Sequence, residues 1–306
     1  MHRFLHPGNT SFRRPSFLFS TAVLVGIMLL YSLSGALLMM VIPGGLAAGY
    51  DVTRYSHEMV VAMRLAQVAG QVLVLALPVL LLVRMHAGSR GLFSRRSFAF
   101  LGITEAVPWP QILFAVLGML SLQPLLHSIT ELQDLFLWPA LGPAGREVLE
   151  SRRIMDELIV KLAGIGSFSE ALAVAGVLAL TPACCEELLF RGYLQQNCSR
   201  ALSPAGSVFF TGFVFAVFHL SAANLVPLAL LGWYIGYIFM KSSNLVVPFS
   251  VHLLNNLLAL VFLHATDVFA AVFRERVVFS FWWWVAVTAG LLLFVFFMRR
   301  FRAECS

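Results

Sequence analysis

The chain has 306 residues, of which 59% are hydrophobic and only 12% charged, with a mean hydropathy of +0.86. No water-soluble domain has this balance, and several apolar runs exceed the ~18 residues that cross a bilayer core, which predicts an all-α, polytopic transmembrane bundle. The net charge of +6 reflects topology and not a nucleic-acid footprint, because the arginines collect at the ends of apolar runs.

Taken in order, a basic start (Arg3, Arg13, Arg14) precedes a first run at about 17–42, too long for a signal-peptide core and read as an uncleaved span. A turn with Pro43-Gly44-Gly45 and mixed charge leads to a second span at about 59–83. Then come Arg84, Arg90, Arg95 and Arg96, with no acid until Glu105. A third span follows Pro108-Trp109-Pro110 and runs to about 129. Residues 130–167 carry both signs; within them Val148, Ile154, Met155, Leu158, Ile159 and Leu162 fall at near-helical spacing, which predicts an interfacial amphipathic helix over 145–163. Five further spans are expected at about 168–197, 206–222, 225–240, 245–264 and 278–298, the last opening on the aromatic run Phe281-Trp282-Trp283-Trp284.

Eight spans with both termini in the cytoplasm satisfy the distribution of basic loops, and place 130–167 on the opposite side. The expected organisation is one integral membrane domain over 1–306, with a motif-bearing core over 168–264, in the bacterial inner membrane. The cysteines at 184, 185, 198 and 305 have no metal-finger spacing and are read as reduced thiols.

Chemistry concentrates in Cys-Cys-Glu-Glu-Leu-Leu-Phe-Arg, residues 184–191. A charge inside lipid costs from ~2.5 to above ~10 kcal/mol, so an intramembrane carboxylate defaults to a functional reading. Glu187 precedes Arg191 by four, the favourable order for a helical ion pair. Glu186 lies ~100° round the helix and can face elsewhere. His219 ends another apolar run, and His252 and Asn256 share a helix face. Counted from the basic turns, Glu186 is 14 residues before Arg200, His219 is 13 after Gly206 and His252 is 11 after Lys241. At 1.5 Å per residue each sits roughly 15–20 Å along its helix from the same side, which predicts one site.

A carboxylate and an imidazole can activate water as base and acid, while a second imidazole and a carboxamide donate to a developing oxyanion. Alternatively Glu186, His219 and His252 are three ligands of a zinc ion with an open position. Either version hydrolyses an amide without a nucleophilic Ser or Cys.

Glu-Glu-x-x-x-Arg at 186–191, Phe-x-x-x-His at 215–219 and His-x-x-x-Asn at 252–256 resemble the three motifs of the CPBP group, the type II CAAX prenyl endopeptidases and their bacterial relatives. The resemblance covers about 180–260, roughly a quarter of the chain. It implies an intramembrane endopeptidase in which Glu186 and His219 activate water, His252 and Asn256 stabilise the oxyanion, and Glu187 and Arg191 are mainly architectural. It leaves both a zinc mechanism and a metal-independent glutamate mechanism open, and implies a peptide or membrane-protein substrate presented by the bilayer. Other intramembrane protease signatures are missing: His57-Glu58 lacks a second His four places on.

The alternatives are a catalytically silent membrane scaffold or immunity-type protein of the same fold, and a proton-coupled transporter. The intact motif set counts against the first, and the lack of an internal repeat against the second. Cys184 and Cys185 are read as packing residues, Asn255 as turned towards a neighbouring helix, and His127 and His264 carry no assigned role.

Overall fold

A computed structural model describes residues 12–42, 51–103, 109–265 and 276–305, and these contain helices and no strand. The expected features at Arg3, at Pro43-Gly44-Gly45 and at Glu105 and Pro108 lie outside the described residues, as do Asp267, Arg274 and Glu275 of a polar turn that the sequence leads one to expect ahead of the last span. The principal helices are α1 (Phe17–Val41), α2 (His57–Ala87), α3 (Arg95–Leu101), α4 (Trp109–Ala140), α5 (Pro143–Leu162), α6 (Phe168–Cys198), α7 (Pro204–Phe218), α8 (Leu225–Ser242), α9 (Val246–His264) and α10 (Phe281–Glu304). Among the described residues seven of them are long and apolar enough to cross a membrane, and α7 is a shorter apolar helix. The chain is an integral membrane protein built as a helical bundle.

Several elements differ from expectation in instructive ways. Helix α4 runs on to Ala140, beyond the end expected near 129: polar Glu131, Gln133 and Asp134 alternate with Leu132, Leu135 and Leu137, and no glycine or proline between 125 and 138 interrupts the helix. Helix α5 covers the expected amphipathic segment; Leu158 and Leu162 pack against Tyr55, Met59 and Val60, while Met155 and Ile159 stay exposed. Of the aromatic run on α10, Trp282 is exposed, but Trp283 turns inward and donates Nε1–H to Ser128 Oγ at 2.8 Å.

Four stretches depart from regular α geometry into wider π turns: Gln71–Ala76, Gln133–Leu137, Gly176–Leu180 and Leu188–Gln195. The first three each end two residues before a proline, at Pro78, Pro139 and Pro182. Proline has no N–H for the ladder and crowds the preceding turn, and a widened turn accommodates it without breaking the helix. At Pro182 a side chain helps, since Thr181 Oγ1 donates to the Gly176 carbonyl at 2.8 Å. The fourth has no proline and carries Arg191.

Helix α6 is the hub, packed against α2, α7, α8 and α9. Its start is tied to α2 by Arg64, which is buried: the guanidinium meets Glu170 at 2.8 Å and donates to the carbonyls of Leu162 and Gly164. Its end is tied to the N-terminal segment by Arg14, which donates Nη2 to Phe100 O and Gln196 Oε1 at 2.6 Å and Nη1 to Asn197 Oδ1 at 3.3 Å. Burial, with Arg200 adding repulsion, lowers the Arg14 guanidinium to about 10.

Helices α7 and α8 touch backbone to backbone. A Cβ on Gly232 would stand 2.7 Å from the Gly212 carbonyl oxygen and 3.0 Å from its Cα. Small residues at such crossings supply the close van der Waals contact that drives association in lipid, where no hydrophobic effect operates between helices.

Candidate active site

Glu186 and Glu187 lie in α6 just before the fourth widened turn, both buried at 5% and 1% exposure, far below what an unpaired carboxylate tolerates. Their helix points them apart. Glu187 meets Arg191 one turn on, Oε1 to Nη1 at 2.8 Å, as the four-residue spacing predicts. The Arg191 guanidinium is fully enclosed; its Nη2 donates to the Gly232 carbonyl at 3.0 Å and its centre lies 4.7 Å above the Phe215 ring. One turn further, Gln195 repeats the contact with Gly236 O at 2.9 Å. The side chains at 191 and 195 thus bind carbonyls of α8 with matching four-residue spacing, and the glycines leave those carbonyls uncovered.

Glu186 faces the two imidazoles. Its Oε2 lies 3.8 Å from His219 Nε2 and 3.9 Å from His252 Nε2, and accepts no hydrogen bond among the described residues. His219 sits at the C-terminal end of α7, and its Nδ1 donates to the Phe215 carbonyl at 2.8 Å. His252, on α9, is buried, and its Nδ1 donates to Glu187 Oε1 at 2.7 Å. The Phe215 ring packs edge-on against both imidazoles.

These anchors decide the tautomers. A carbonyl or carboxylate oxygen only accepts, so each Nδ1 carries the proton, and each neutral ring presents a bare Nε2 to Glu186. Three acceptor atoms therefore converge at separations too long for direct hydrogen bonds and suited to a bridging water that donates to them. The charges add a second condition: two carboxylates share one guanidinium, so one further proton held among Glu186, His219 and His252 brings the cluster to neutrality, as burial in lipid demands.

The sequence-predicted residues Glu186, Glu187, Arg191, His219 and His252 are thus brought together. Asn256 lies one turn along α9 from His252, is half-buried, and makes no hydrogen bond among the described residues. Its neighbour Asn255 turns away and accepts from Gln123 of α4 at 3.3 Å. Cys185 is buried and Cys184 exposed, and both are free thiols. His264 binds two backbone carbonyls, Leu260 O and Ala163 O, at the far end of α9.

Converging lone pairs are also what a divalent cation takes, but among the described residues no group of three or more His, Cys, Asp or Glu side chains is arranged to hold a metal ion. Glu186, His219 and His252, with their facing atoms 3.8 and 3.9 Å apart, do not form such a group. An open cleft of ≈ 620 Å³ between the 52–54 turn, α4 and α5 shares no residue with the cluster; its charges include the mutually paired Asp134 and Arg152.

Sequence reasoning missed two contributors to the cluster. Gln71 of α2 approaches Glu186, Nε2 to Oε1 at 3.4 Å, and Tyr31 of α1 contacts Gln71 in turn, at 3.3 Å. The signal available was a pair of amides four residues apart, Gln67 and Gln71, inside an apolar run.

Residues 168–258 match the family model Type II CAAX prenyl endopeptidase Rce1-like. The match runs from the start of α6 into α9 and includes all seven motif residues. No curated protein and no solved structure is matched by the chain.

Proposed function

Through residues 168–258 the chain belongs with the type II CAAX prenyl endopeptidase-like (CPBP) proteins, and on that premise we propose that it hydrolyses a peptide bond in a membrane-associated peptide or protein, with Glu186 as general base. The observation that carries the reading is the convergence of Glu186 Oε2 with the two Nε2 atoms at 3.8 and 3.9 Å. A water held there loses a proton to Glu186 as its oxygen attacks the scissile carbonyl. His219, half-open to solvent and anchored through Nδ1, takes that proton from Glu186 on its bare Nε2 and passes it to the leaving amine. His252, protonated on both nitrogens and backed by Glu187, donates Nε2–H to the oxyanion, with the Asn256 amide beside it. No Ser or Cys nucleophile takes part.

Purified protein in detergent, offered a farnesylated CAAX peptide and the same peptide without the lipid, tests the proposal. Cleavage of either, lost in Glu186→Gln, is expected; cleavage of the farnesylated form alone assigns a prenylated substrate. Turnover unaffected by Glu186→Gln overturns the role of Glu186, and no cleavage of either peptide leaves a silent scaffold or a transporter. Activity is expected to survive chelation, with substoichiometric metal by elemental analysis; loss on chelation and recovery with zinc would move the site to metal chemistry.

For placement, we propose the bacterial inner membrane with both termini and the 198–205 turn in the cytoplasm and α5 lying on the opposite surface. The support is the exposed, carboxylate-free arginines Arg84, Arg90, Arg95, Arg96 and Arg200 against the mixed charge of α5. An impermeant thiol reagent applied from outside should label a cysteine placed at 145–160 and not one at 199–203; the reverse pattern inverts the topology.

A further inference from the structure

We propose that Gln71, on α2 and outside the family-matched segment, is a positioning residue for Glu186: its amide holds one carboxylate oxygen so that the other faces the imidazoles. The inference rests on the reading of Glu186 as general base.

Gln71 is 3% exposed and lies well inside an apolar helix, where a primary amide is costly unless it is paired. Its Nε2 reaches Glu186 Oε1 at 3.4 Å and Tyr31 Oη at 3.3 Å, and the Tyr31 hydroxyl in turn donates to Gln67 Oε1 at 3.4 Å. The amide orientation follows from chemistry: a carboxylate accepts only, so the atom turned towards it is the nitrogen. These contacts sit at the long end of the hydrogen-bond range, as is common in a site without substrate.

The division of labour between the two Glu186 oxygens is the central point. Oε1 is occupied by Gln71; Oε2 accepts no hydrogen bond among the described residues and is the atom facing both Nε2 atoms. A carboxylate free to rotate would present either oxygen and scatter the water, so fixing one edge fixes the base. The backbone is built for this: the widened turn of α2 opens at Gln71 itself. Tyr31 extends the support to the acid, since its ring packs on Phe218, next to His219, at 5.5 Å between centroids. A would-be Cβ on Gly70 lies 3.3 Å from the same ring, so Tyr31 is held closely against α2.

An amide acting only as helix glue would affect stability and leave the carboxylate's environment and the chemical step alone. Gln71→Leu keeps the volume and removes the donor; Tyr31→Phe keeps the ring and removes the hydroxyl; Gln111→Leu, an exposed amide bonded to Glu304 O, is the control. The first measurement is infrared difference spectroscopy, with the Glu186 carboxylate band identified by its loss in Glu186→Gln. That band should shift in Gln71→Leu, shift less in Tyr31→Phe and stay put in Gln111→Leu. The second is turnover of the farnesylated CAAX peptide: kcat should fall on the order of 10-fold in Gln71→Leu with KM unchanged, the scale of other orienting partners. The double variant should be no worse than Gln71→Leu alone, because both changes cut one chain of contacts. An unmoved band in Gln71→Leu, or a loss carried by KM, overturns the proposal. If Gln71→Leu fails to fold, the band in Tyr31→Phe decides in the same way. Turnover that survives Glu186→Gln would sink the reading of Glu186 as general base instead, while the band would still report whether Gln71 holds the carboxylate.

Discussion

The amphipathic helix α5 and the middle of α6 carry the same kinds of charge, arranged at the same helical spacing, to opposite effect. On α5, Arg153 bridges Glu150 and Glu157 at 2.6 and 2.7 Å, with all three side chains in solvent. On α6, Glu187 and Arg191 form a bond of like length, 2.8 Å, with 1% and 0% of their side chains exposed. Geometry does not distinguish the two; surroundings do. In water either partner of the α5 set can be solvated by itself, so the pairs are screened and replaceable. In the buried pair, Glu187 and Arg191 have no water to replace a lost partner, so removing one strands the other.

Breaking the buried set should show this in order of size. Glu186→Gln is expected to reduce peptide turnover at least ~100-fold, the scale of general-base loss, with melting temperature little changed, since glutamine keeps the shape and Oε2 accepts no hydrogen bond among the described residues. Glu187→Gln strands a buried guanidinium and should cost ~3–5 kcal/mol of stability. Adding Arg191→Met should recover part of that stability but not turnover, because His252 Nδ1 has lost its carboxylate. Melting curves and turnover on the same preparations check both statements, and a stable but dead Glu187→Gln beside an unstable but active Glu186→Gln would reverse the two assignments.

Gly232→Ala should come next. Its methyl meets the Gly212 carbonyl, pushes α7 from α8 and withdraws the carbonyl that Arg191 binds, at ~1–3 kcal/mol for an overpacked contact; an unchanged melting temperature would show that the crossing is slack. Last, Glu157→Gln on α5 should shift neither melting temperature nor turnover measurably. A clear drop there would mean that the surface pairs act as a network.

Much of this was legible in the chain. Spans are read from apolar runs because lipid admits few other solutions, and the equal depth of Glu186, His219 and His252 follows from counting along helices of fixed rise. The double duty of Glu187 was not legible: its spacing to Arg191 is local, whereas its bond to His252 joins residues 65 apart in the chain. Gln71 escaped for the same reason, with 115 residues between it and Glu186. The widened turns were partly readable, since three precede prolines, yet Pro124 sits inside α4 without one. The turn at Leu188–Gln195 has no local sequence cause and answers to its tertiary contacts.

Helix α7 has one more consequence. It is only 15 residues long, ~22 Å against a hydrocarbon layer of ~30 Å, and beyond it the chain turns at Leu220 with φ of 51°. Backbone released from a helix at that depth survives only against protein or beside water. The place where α7 stops is therefore an entry for the second reactant. In the proposed mechanism hydrolysis consumes one water per turnover, which must be imported into the apolar layer; a helix that ends early beside His219 shortens that journey to a single side chain.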